Sequence, residues 1–335
     1  MTVKLTHWSI LGAALLVFMS CNSLTIGQET GLLNRDRPAV NLGGWSDEVA
    51  FRNWKVQRHA IIGHSRLLDA NGHRVTFGSY ETCFAAFKDA TKDLEPLPKR
   101  VVIVMHGLGA TPWIMNGISK YITENGKLHV ENIGYASTLE DIAAYAKSLD
   151  HVIRHFNGVE QIDFVAHSMG NIVIRRYLAD RDKQVHGPRS PIAFGRFVMI
   201  SPPNHGAELA DTVADLTADS DLLSTAVKLL AGEPAKQLAT RGGWPELEKT
   251  LVTPDFEFAI IAGGRGDNQG YLKQLPGDDD ALLTVETMKL VRAVDYIQIK
   301  GLHQLMPTYE EVQKKTLSFL EHGYFITADQ RQPIK

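Results

Sequence analysis

A strand-to-helix joint centred on Ser168 constrains the fold more than any other feature of the sequence. An apolar run from Ile162 to Ala166 has the length of a buried strand, and an apolar helical pattern begins after Gly170. Small residues stand two positions before and two positions after the serine, so the strand and the helix can approach each other closely. We therefore predict a sharp turn that holds the Ser168 hydroxyl clear of the strand.

Five short apolar segments have the composition of buried strands. They are Val101–Met105, Ile162–Ala166, and the apolar parts of RFVMISPP, FEFAIIAGG and DYIQIKG. Helical patterns alternate with these strands, which predicts a mostly parallel sheet covered by helices on both faces. Ligands bind such sheets at the carboxyl ends of the strands, so the residues that directly follow each strand are the candidates for a functional site.

One helix and one hairpin carry local signals of their own. Thr138 and Asp141 form a capping-box-like start of a helix that the pair Asn157-Gly158 should end. In the segment Ser65–Ser79, the pair Asn71-Gly72 lies between two strand-like runs, which predicts a hairpin with a type I′ turn.

Chemically capable side chains follow the predicted strands. His106 follows the first strand, Ser168 follows the second, and His303 follows the last. The strand that ends near Gly263 precedes a loop with four candidate aspartates, namely Asp267, Asp278, Asp279 and Asp280. A serine, an aspartate and a histidine in that chain order are therefore expected at one edge of the sheet.

Five segments resemble the α/β-hydrolase superfamily, and within it the bacterial lipase-like and esterase-like serine hydrolases. In chain order they are VIVMHGLGATP, DFVAHSMGNIVIRRYL, FVMISPPNHGAELAD, LPGDDDALLTVETMKL and IKGLHQLMPTYEEVQKKTLSFLEHG. The resemblance covers roughly residues 98–325. It implies an α/β-hydrolase fold with a mostly parallel central sheet, helices on both faces and a small helical cap insertion at about residues 204–250.

The resemblance implies a catalytic triad of Ser168 as nucleophile, His303 as base and Asp280 as acid. The alternative role for Ser168 is a helix N-cap, which leaves the small residues around it unexplained. Asp280 fits the family pattern better than the other aspartates because a small residue, Ala281, and an apolar stretch follow it. The family usually has glycine where this chain has Ala281.

The resemblance also implies roles for residues around the triad. The backbone N–H groups of Met169 and Leu108 would form the oxyanion hole. The supporting positions are His106, Gly107, His167 and Gly170. In the cap insertion, DSDLLSTAVKLLAG has the pattern of an amphipathic helix, whose apolar face either packs on the core or lines an acyl pocket.

Composition limits the classes of partner and cofactor. The net charge of −3 gives no basic field, so no nucleic-acid partner is expected. The chain has two cysteines, and Cys83 is left alone if Cys21 is lipidated or removed. No intrachain disulfide and no cysteine-based metal site are then expected. The triad mechanism that the resemblance implies needs no cofactor or metal.

The N-terminus has the pattern of an export signal. Lys4 and His7 precede a short apolar run, Ile10–Met19, which is followed by Ser20-Cys21. We predict a signal peptide at residues 1–21, a linker at 22–50 and a single hydrolase domain at 51–325. Export would lead to a periplasmic, secreted or lipoprotein form. Cys21 would either carry lipid, which would tether the protein to a membrane, or be lost with the signal peptide.

The resemblance implies a serine hydrolase that cleaves carboxylic esters, of small molecules or lipids, through an acyl-enzyme. The same triad also serves amidases, thioesterases and acyltransferases, and the sequence does not separate these reactions. A different class of function is a non-catalytic binding protein on a hydrolase scaffold, against which an intact triad argues. No protein partner can be read from the sequence.

Overall fold

The computed structural model describes residues 44–188, 190–208 and 232–335. The predicted signal peptide, most of the predicted linker and residues 209–231 of the predicted cap insertion lie outside the described residues. They include Cys21 and almost all of the predicted amphipathic cap helix.

The described residues contain ten strands and seven fully described α-helices. The strands are β1 Trp45–Phe51, β2 Trp54–His59, β3 Ser65–Leu68, β4 Arg74–Gly78, β5 Arg100–Met105, β6 His129–Ile133, β7 Gln161–His167, β8 Ala193–Ile200, β9 Phe258–Gly264 and β10 Asp295–Lys300. The helices are α1 Tyr80–Thr91, α2 Asn116–Gly126, α3 Ile142–Arg154, α4 Met169–Asp182, α5 Trp244–Glu248, α6 Val285–Met288 and α7 Glu310–His322. Residues 232–238 are also helical, and short 3₁₀ segments occupy Pro112–Met115, His303–Thr308 and Ala328–Gln330.

Six strands form a parallel sheet in the order β10-β9-β8-β7-β5-β6. Alternate residues of β5 pack on opposite faces, since Ile103 and Val104 belong to different buried clusters. Helices α3 and α4 cover one face, and α2 and α7 cover the other. This is why the strands are apolar without alternation, as expected of a parallel sheet buried on both sides.

This architecture confirms the predicted fold. A parallel sheet with helices on both faces carries a serine at a strand-to-helix turn on its carboxyl edge, which is the arrangement of the α/β-hydrolase fold. All five predicted strands are present. Strand β6 was not predicted, and it extends the sheet beyond β5.

Strands β1 to β4 form a second, antiparallel sheet in sequence order. Strand β1 occupies residues that we predicted as the end of the linker, so the prediction is wrong for residues 45–50. The polar composition of β1 is misleading because Asp47 is fully buried and accepts hydrogen bonds from Gln57 at 2.6 Å and from the Gly134 N–H at 2.8 Å. The polar side chains of this strand therefore bond within the protein rather than to water.

Two local predictions need correction. The hairpin between β3 and β4 is present, but its turn is not type I′, which needs positive φ at both central residues. Gly72 has a positive φ of 83°, whereas the φ of Asn71 is not positive. The Asp69 carboxylate accepts the N–H groups of Asn71 and His73, and these bonds favour a different turn. Helix α3 is capped by Asp141 itself, whose carboxylate accepts the Ala144 N–H at 2.8 Å.

Within residues 44–188, 190–208 and 232–335, no helix combines the length and the apolar character that crossing a bilayer requires.

Candidate active site

Ser168 stands at a sharp turn between β7 and α4, with φ 52° and ψ −129°. Positive φ is uncommon for a residue with a side chain, and it is found where the surrounding structure enforces it. Here two glycines allow the close approach. A Cβ on Gly170 would lie 2.6 Å from the His106 carbonyl oxygen, and a Cβ on Gly107 would lie 2.7 Å from the Ser168 Cβ. Of the two small residues predicted around the serine, Gly170 is therefore required sterically.

His303 lies between Ser168 and Asp280. Its Nε2 is 2.8 Å from Ser168 Oγ, and its Nδ1 is 2.7 Å from Asp280 Oδ2. All three side chains are buried, and Asp280 is fully so. In the neutral tautomer that this network implies, the Nδ1–H donates to the carboxylate and Nε2 accepts the serine hydroxyl proton.

The Asp280 side chain is fixed by backbone donors. Asp280 Oδ1 accepts the N–H groups of Leu282 at 3.1 Å and Leu283 at 2.8 Å, which leaves Oδ2 for the histidine. The main chains are also joined, since the His303 N–H donates to the Asp280 carbonyl at 2.8 Å. Ala281 adopts φ 74°, in the left-handed region that glycine favours. Ala281, the position at which the resemblance leads us to expect glycine, is thus left-handed in this chain.

The other candidate aspartates point elsewhere. Asp278 accepts the N–H groups of Arg265 and Gly266, each at 2.8 Å. Asp279 is buried and accepts the Ala281 N–H at 2.7 Å, and burial raises the pKa of its carboxyl group. Asp267 is tied to its own turn, where bonds from the Gln269 and Gly270 N–H groups lower its pKa despite slight desolvation, with help from the Arg265 charge.

The two predicted oxyanion donors lie on the two segments that flank the serine. Met169 is the first residue of α4, and the first N–H groups of a helix have no partner inside it. Leu108 follows the end of β5, next to Gly107 and to Gly109, which has φ 67°. The positive end of the α4 dipole also lies at this turn and favours negative charge there.

Two buried histidines support the strand-to-helix turn at Ser168, the elbow. His106 stacks on Tyr135 with ring centroids 4.4 Å apart, and burial lowers its pKa to about 4. His167 Nε2 bonds to the His303 carbonyl at 2.9 Å, so the residue before the serine fixes the main chain of His303. Burial, reinforced by the nearby His303 ring, lowers the pKa of His167 well below the ordinary value. Among the described residues, no hydrogen-bond partner meets His167 Nδ1.

Sequence reasoning missed three residues near the site. Tyr135 donates its hydroxyl to the His106 carbonyl at 2.6 Å, and it follows β6, which was not predicted. Asn171 Nδ2 donates to the Ser168 carbonyl at 2.8 Å. Ser201 follows β8 with φ 43°, and its Oγ accepts the Gly263 N–H at 3.2 Å. Only Ser201 had a usable signal, because it directly follows a predicted strand.

The described residues contain no group of three or more His, Cys, Asp or Glu side chains that could hold a metal ion. Cys83 lies in α1 and is buried against the second sheet, in a cluster that contains none of Ser168, His303 and Asp280. His205, at the start of the predicted cap insertion, is exposed and lies 3.9 Å from Glu248.

No protein-family model and no curated protein matches the chain. Several solved structures are similar to it in chain course. A Bacillus licheniformis lipase in mature form gives a TM-score of 0.47 at 18% identity, covering 68% of this chain and 91% of that one. A gene product of Listeria innocua gives a TM-score of 0.46 at 16% identity, covering 70% of this chain and 96% of that one. A Pyrococcus furiosus esterase gives a TM-score of 0.45 at 13% identity, covering 84% of this chain and 90% of that one. All three TM-scores are below 0.5, so the fold assignment rests on the strand order and the elbow.

Proposed function

We propose that the protein is a serine hydrolase that cleaves carboxylic esters, of lipid-like character, through an acyl-enzyme. The observation that carries the proposal is the hydrogen-bond chain from Ser168 Oγ through His303 to Asp280, at 2.8 and 2.7 Å. A nucleophile bonded to a base that a third group orients is the arrangement of nucleophilic catalysis.

In the first half of the reaction, Ser168 Oγ attacks the ester carbonyl carbon while its proton passes to His303 Nε2. The negative charge that develops on the carbonyl oxygen would be met by the N–H groups of Met169 and Leu108. Asp280 accepts the Nδ1–H, which keeps the tautomer correct and stabilises the imidazolium. The C–O bond to the leaving group then breaks, and His303 donates its proton to the departing alcohol.

In the second half, water replaces the alcohol. His303 takes a proton from the water as the oxygen attacks the acyl carbonyl, and the proton then returns to Ser168 Oγ as the carboxylic acid leaves. Burial lowers the pKa of His167 well below its ordinary value, which disfavours a second positive charge beside His303 when that ring takes up the proton in the proposed cycle.

A fluorophosphonate probe and a matched substrate panel test the proposal. We expect the probe to label the wild-type protein and not a Ser168→Ala variant. With one acyl group carried as an ester, a thioester and an amide, we expect the ester to give the highest kcat/KM among substrates with non-activated leaving groups. Labelling that persists in Ser168→Ala would contradict the nucleophile, and a higher kcat/KM for the amide or thioester would contradict the substrate class.

A further inference from the structure

The turn between β2 and β3 presents two neighbouring apolar side chains to solvent. Ile61 is 73% exposed and Ile62 is 55% exposed. The turn is held by its own hydrogen bonds, since the Gly63 N–H donates to the His59 carbonyl at 3.0 Å and the Ile61 N–H donates to His59 Nδ1 at 3.2 Å. Single exposed apolar residues are ordinary, but an adjacent pair fixed outward on an ordered turn indicates a contact surface.

This turn lies at the same edge of the molecule as the candidate triad. Strand β1 runs opposite to β6, because the Arg52 N–H bonds to Glu131 at 2.6 Å while the Asp47 N–H bonds to the Gly134 carbonyl at 2.9 Å. The start of β1 is therefore at the carboxyl end of the parallel sheet. Trp45 at that start pairs with His59 at the end of β2, which places the β2–β3 turn at this edge.

Other loops at this edge also expose apolar side chains. Trp113, 67% exposed, follows β5, and Leu302 and Leu305, 40% and 44% exposed, follow β10 on either side of His303. The β2–β3 turn itself, residues 60–65, contains no Asp, Glu, Lys or Arg, and the nearby Arg58 is paired with Glu48 and Glu140. An apolar tip without charged residues can enter a lipid–water interface without removing a charge from water.

We propose that the β2–β3 turn, with Ile61 and Ile62, binds a lipid surface and presents the carboxyl edge of the sheet, with Ser168, toward it. The place where the chain enters the described structure supports this occupant. The Gly44 carbonyl accepts the Ala60 N–H at 2.9 Å, so residues before 44 join the domain beside Ile61. That preceding sequence contains the apolar run and Cys21, the features expected of a membrane-directed segment.

A second contact beside the tether point has a physical reason. A tether through the N-terminal segment alone would leave the domain free to rotate about it. Contact through Ile61 and Ile62 would fix which edge of the domain faces the lipid, because burying these two side chains removes apolar surface from water. The inference goes beyond the proposed function and does not depend on the reaction being ester hydrolysis.

The first test follows the polarity around the turn in the full chain. A Cys21→Ser background leaves Cys83, which is buried, as the remaining native thiol. A polarity-sensitive fluorophore is attached to Ile62→Cys, or to Val185→Cys as a control that follows the far end of α4, at the opposite edge. With vesicles of phosphatidylcholine and phosphatidylglycerol, we expect a blue shift for the label at 62 and none at 185. Equal spectra at both positions on vesicle-bound protein would overturn the proposal.

The second test compares two exposed double variants of the full chain, in which the N-terminal apolar run contributes equally. We expect Ile61→Ser/Ile62→Ser to weaken partitioning into the same vesicles by about tenfold or more, because two apolar side chains lose their transfer from water. Val185→Ser/Val291→Ser should match wild type. Equal partitioning of the two double variants would overturn the proposal.

Hydrolysis of a soluble short-chain ester separates this inference from the proposed function. We expect Ile61→Ser/Ile62→Ser to retain wild-type turnover, because both isoleucines are exposed on a turn of the antiparallel sheet, whereas the candidate triad is buried at the parallel sheet. Loss of turnover in that variant would mean that the turn supports the fold and would contradict a surface role. If wild type itself does not hydrolyse any ester, the proposed function fails while the vesicle result still decides the lipid contact.

Discussion

The turn at Ser168, the serine elbow, and the loop that carries Asp280, the acid loop, each hold a candidate triad side chain in place, but by different interactions. Each follows a strand at the carboxyl edge and each holds a residue with a side chain at positive φ, Ser168 at 52° and Ala281 at 74°. In the elbow, close approach of main chains holds the turn, and glycine at Gly107 and Gly170 makes the approach sterically feasible. In the acid loop, carboxylates that accept backbone N–H groups hold the turn.

The difference teaches which kind of loop can be read from sequence. The elbow can be recognised in the sequence because its steric constraint allows only small residues at fixed positions. The acid loop is harder to recognise because three consecutive aspartates have the same side-chain chemistry. The two loops should also respond differently to substitution. In the elbow, an added methyl group should be harmful, and in the acid loop the identity of one carboxylate should matter most.

The largest expected effect is on the elbow. Ser168→Ala should lower kcat by about 10³-fold or more, which corresponds to about 4 kcal/mol in the barrier, because the nucleophile is lost. The fold should be kept, since the serine side chain donates only to His303 and removal of one oxygen disturbs little packing. Turnover of a soluble ester and circular dichroism measure the two effects, and activity within about tenfold of wild type would exclude Ser168 as the nucleophile.

The acid loop should show a smaller loss that is specific for one aspartate. Asp280→Asn should lower turnover by at least ~100-fold, because an amide favours the wrong tautomer of His303. Asp278→Asn is the matched control and should cost less than ~10-fold, since Asp278 bonds to Arg265 and Gly266 rather than to the histidine. A control variant that is impaired as severely as Asp280→Asn would show that the acid is misassigned.

Acidification should weaken the surroundings of the elbow. The pKa of His106 is lowered by burial to about 4, so below its ordinary value of about 6.5 the unfolded chain takes up a proton that the folded protein does not. This contribution to the free energy of unfolding is present above pH 6.5 and is lost as the pH falls toward 4. From pH 7 to pH 5 it should cost about 2 kcal/mol, and His167 acts in the same direction.

Urea unfolding at the two pH values measures this loss. In the acid loop the sign is opposite, because the raised pKa of Asp279 favours the folded state as pH falls through it. An unfolding free energy that does not change between pH 7 and pH 5 would contradict a neutral, buried His106.

Steric constraint in the elbow predicts that Gly170→Ala destabilises the protein by about 2 kcal/mol, because the new Cβ would meet two main-chain carbonyl oxygens. Gly117→Ala in α2 is the control. Its Cβ would meet only the end of the Gln313 side chain, so it should be neutral or stabilising by up to about 1 kcal/mol. Chemical denaturation compares the two, and equal effects would remove the steric explanation of the elbow.

The smallest expected effect belongs to the acid loop. Ala281→Gly should stabilise the protein by about 1 kcal/mol or less, because relief of left-handed strain is partly offset by the greater freedom of glycine in the unfolded chain. Lys127→Gly, at the left-handed C-cap of α2, is the matched control and should behave alike. A destabilisation at Ala281 alone would show that its methyl group packs in the loop.

Much of the main sheet could be predicted from the sequence. The five apolar strands are hydrophobic on both faces, so each is visible as an apolar run within a short stretch of the sequence. Strand β1 could not be predicted, because Asp47 is polar in sequence and becomes buried only when Gln57 and Gly134 satisfy it. The prediction of a type I′ turn at Asn71-Gly72 was wrong for a related reason. The hydrogen bonds of the Asp69 side chain outweighed the preference of the Asn-Gly pair for that turn.

The sequence by itself determined the parallel sheet and the turn at Ser168, because apolar runs and obligatory small residues act over a few positions of the chain. The family resemblance favoured Asp280, but the residues alone left four aspartates open, and the tertiary structure decided that Asp280, 23 positions before His303, is the one that meets it. Only the tertiary structure decided that His167 bonds to the His303 carbonyl across 136 positions. The tertiary structure also decided that the β2–β3 turn lies at the carboxyl end of the parallel sheet, the edge that carries the candidate triad. These are contacts between distant segments, and hydrogen-bond partners that meet only on folding leave no periodicity in the sequence.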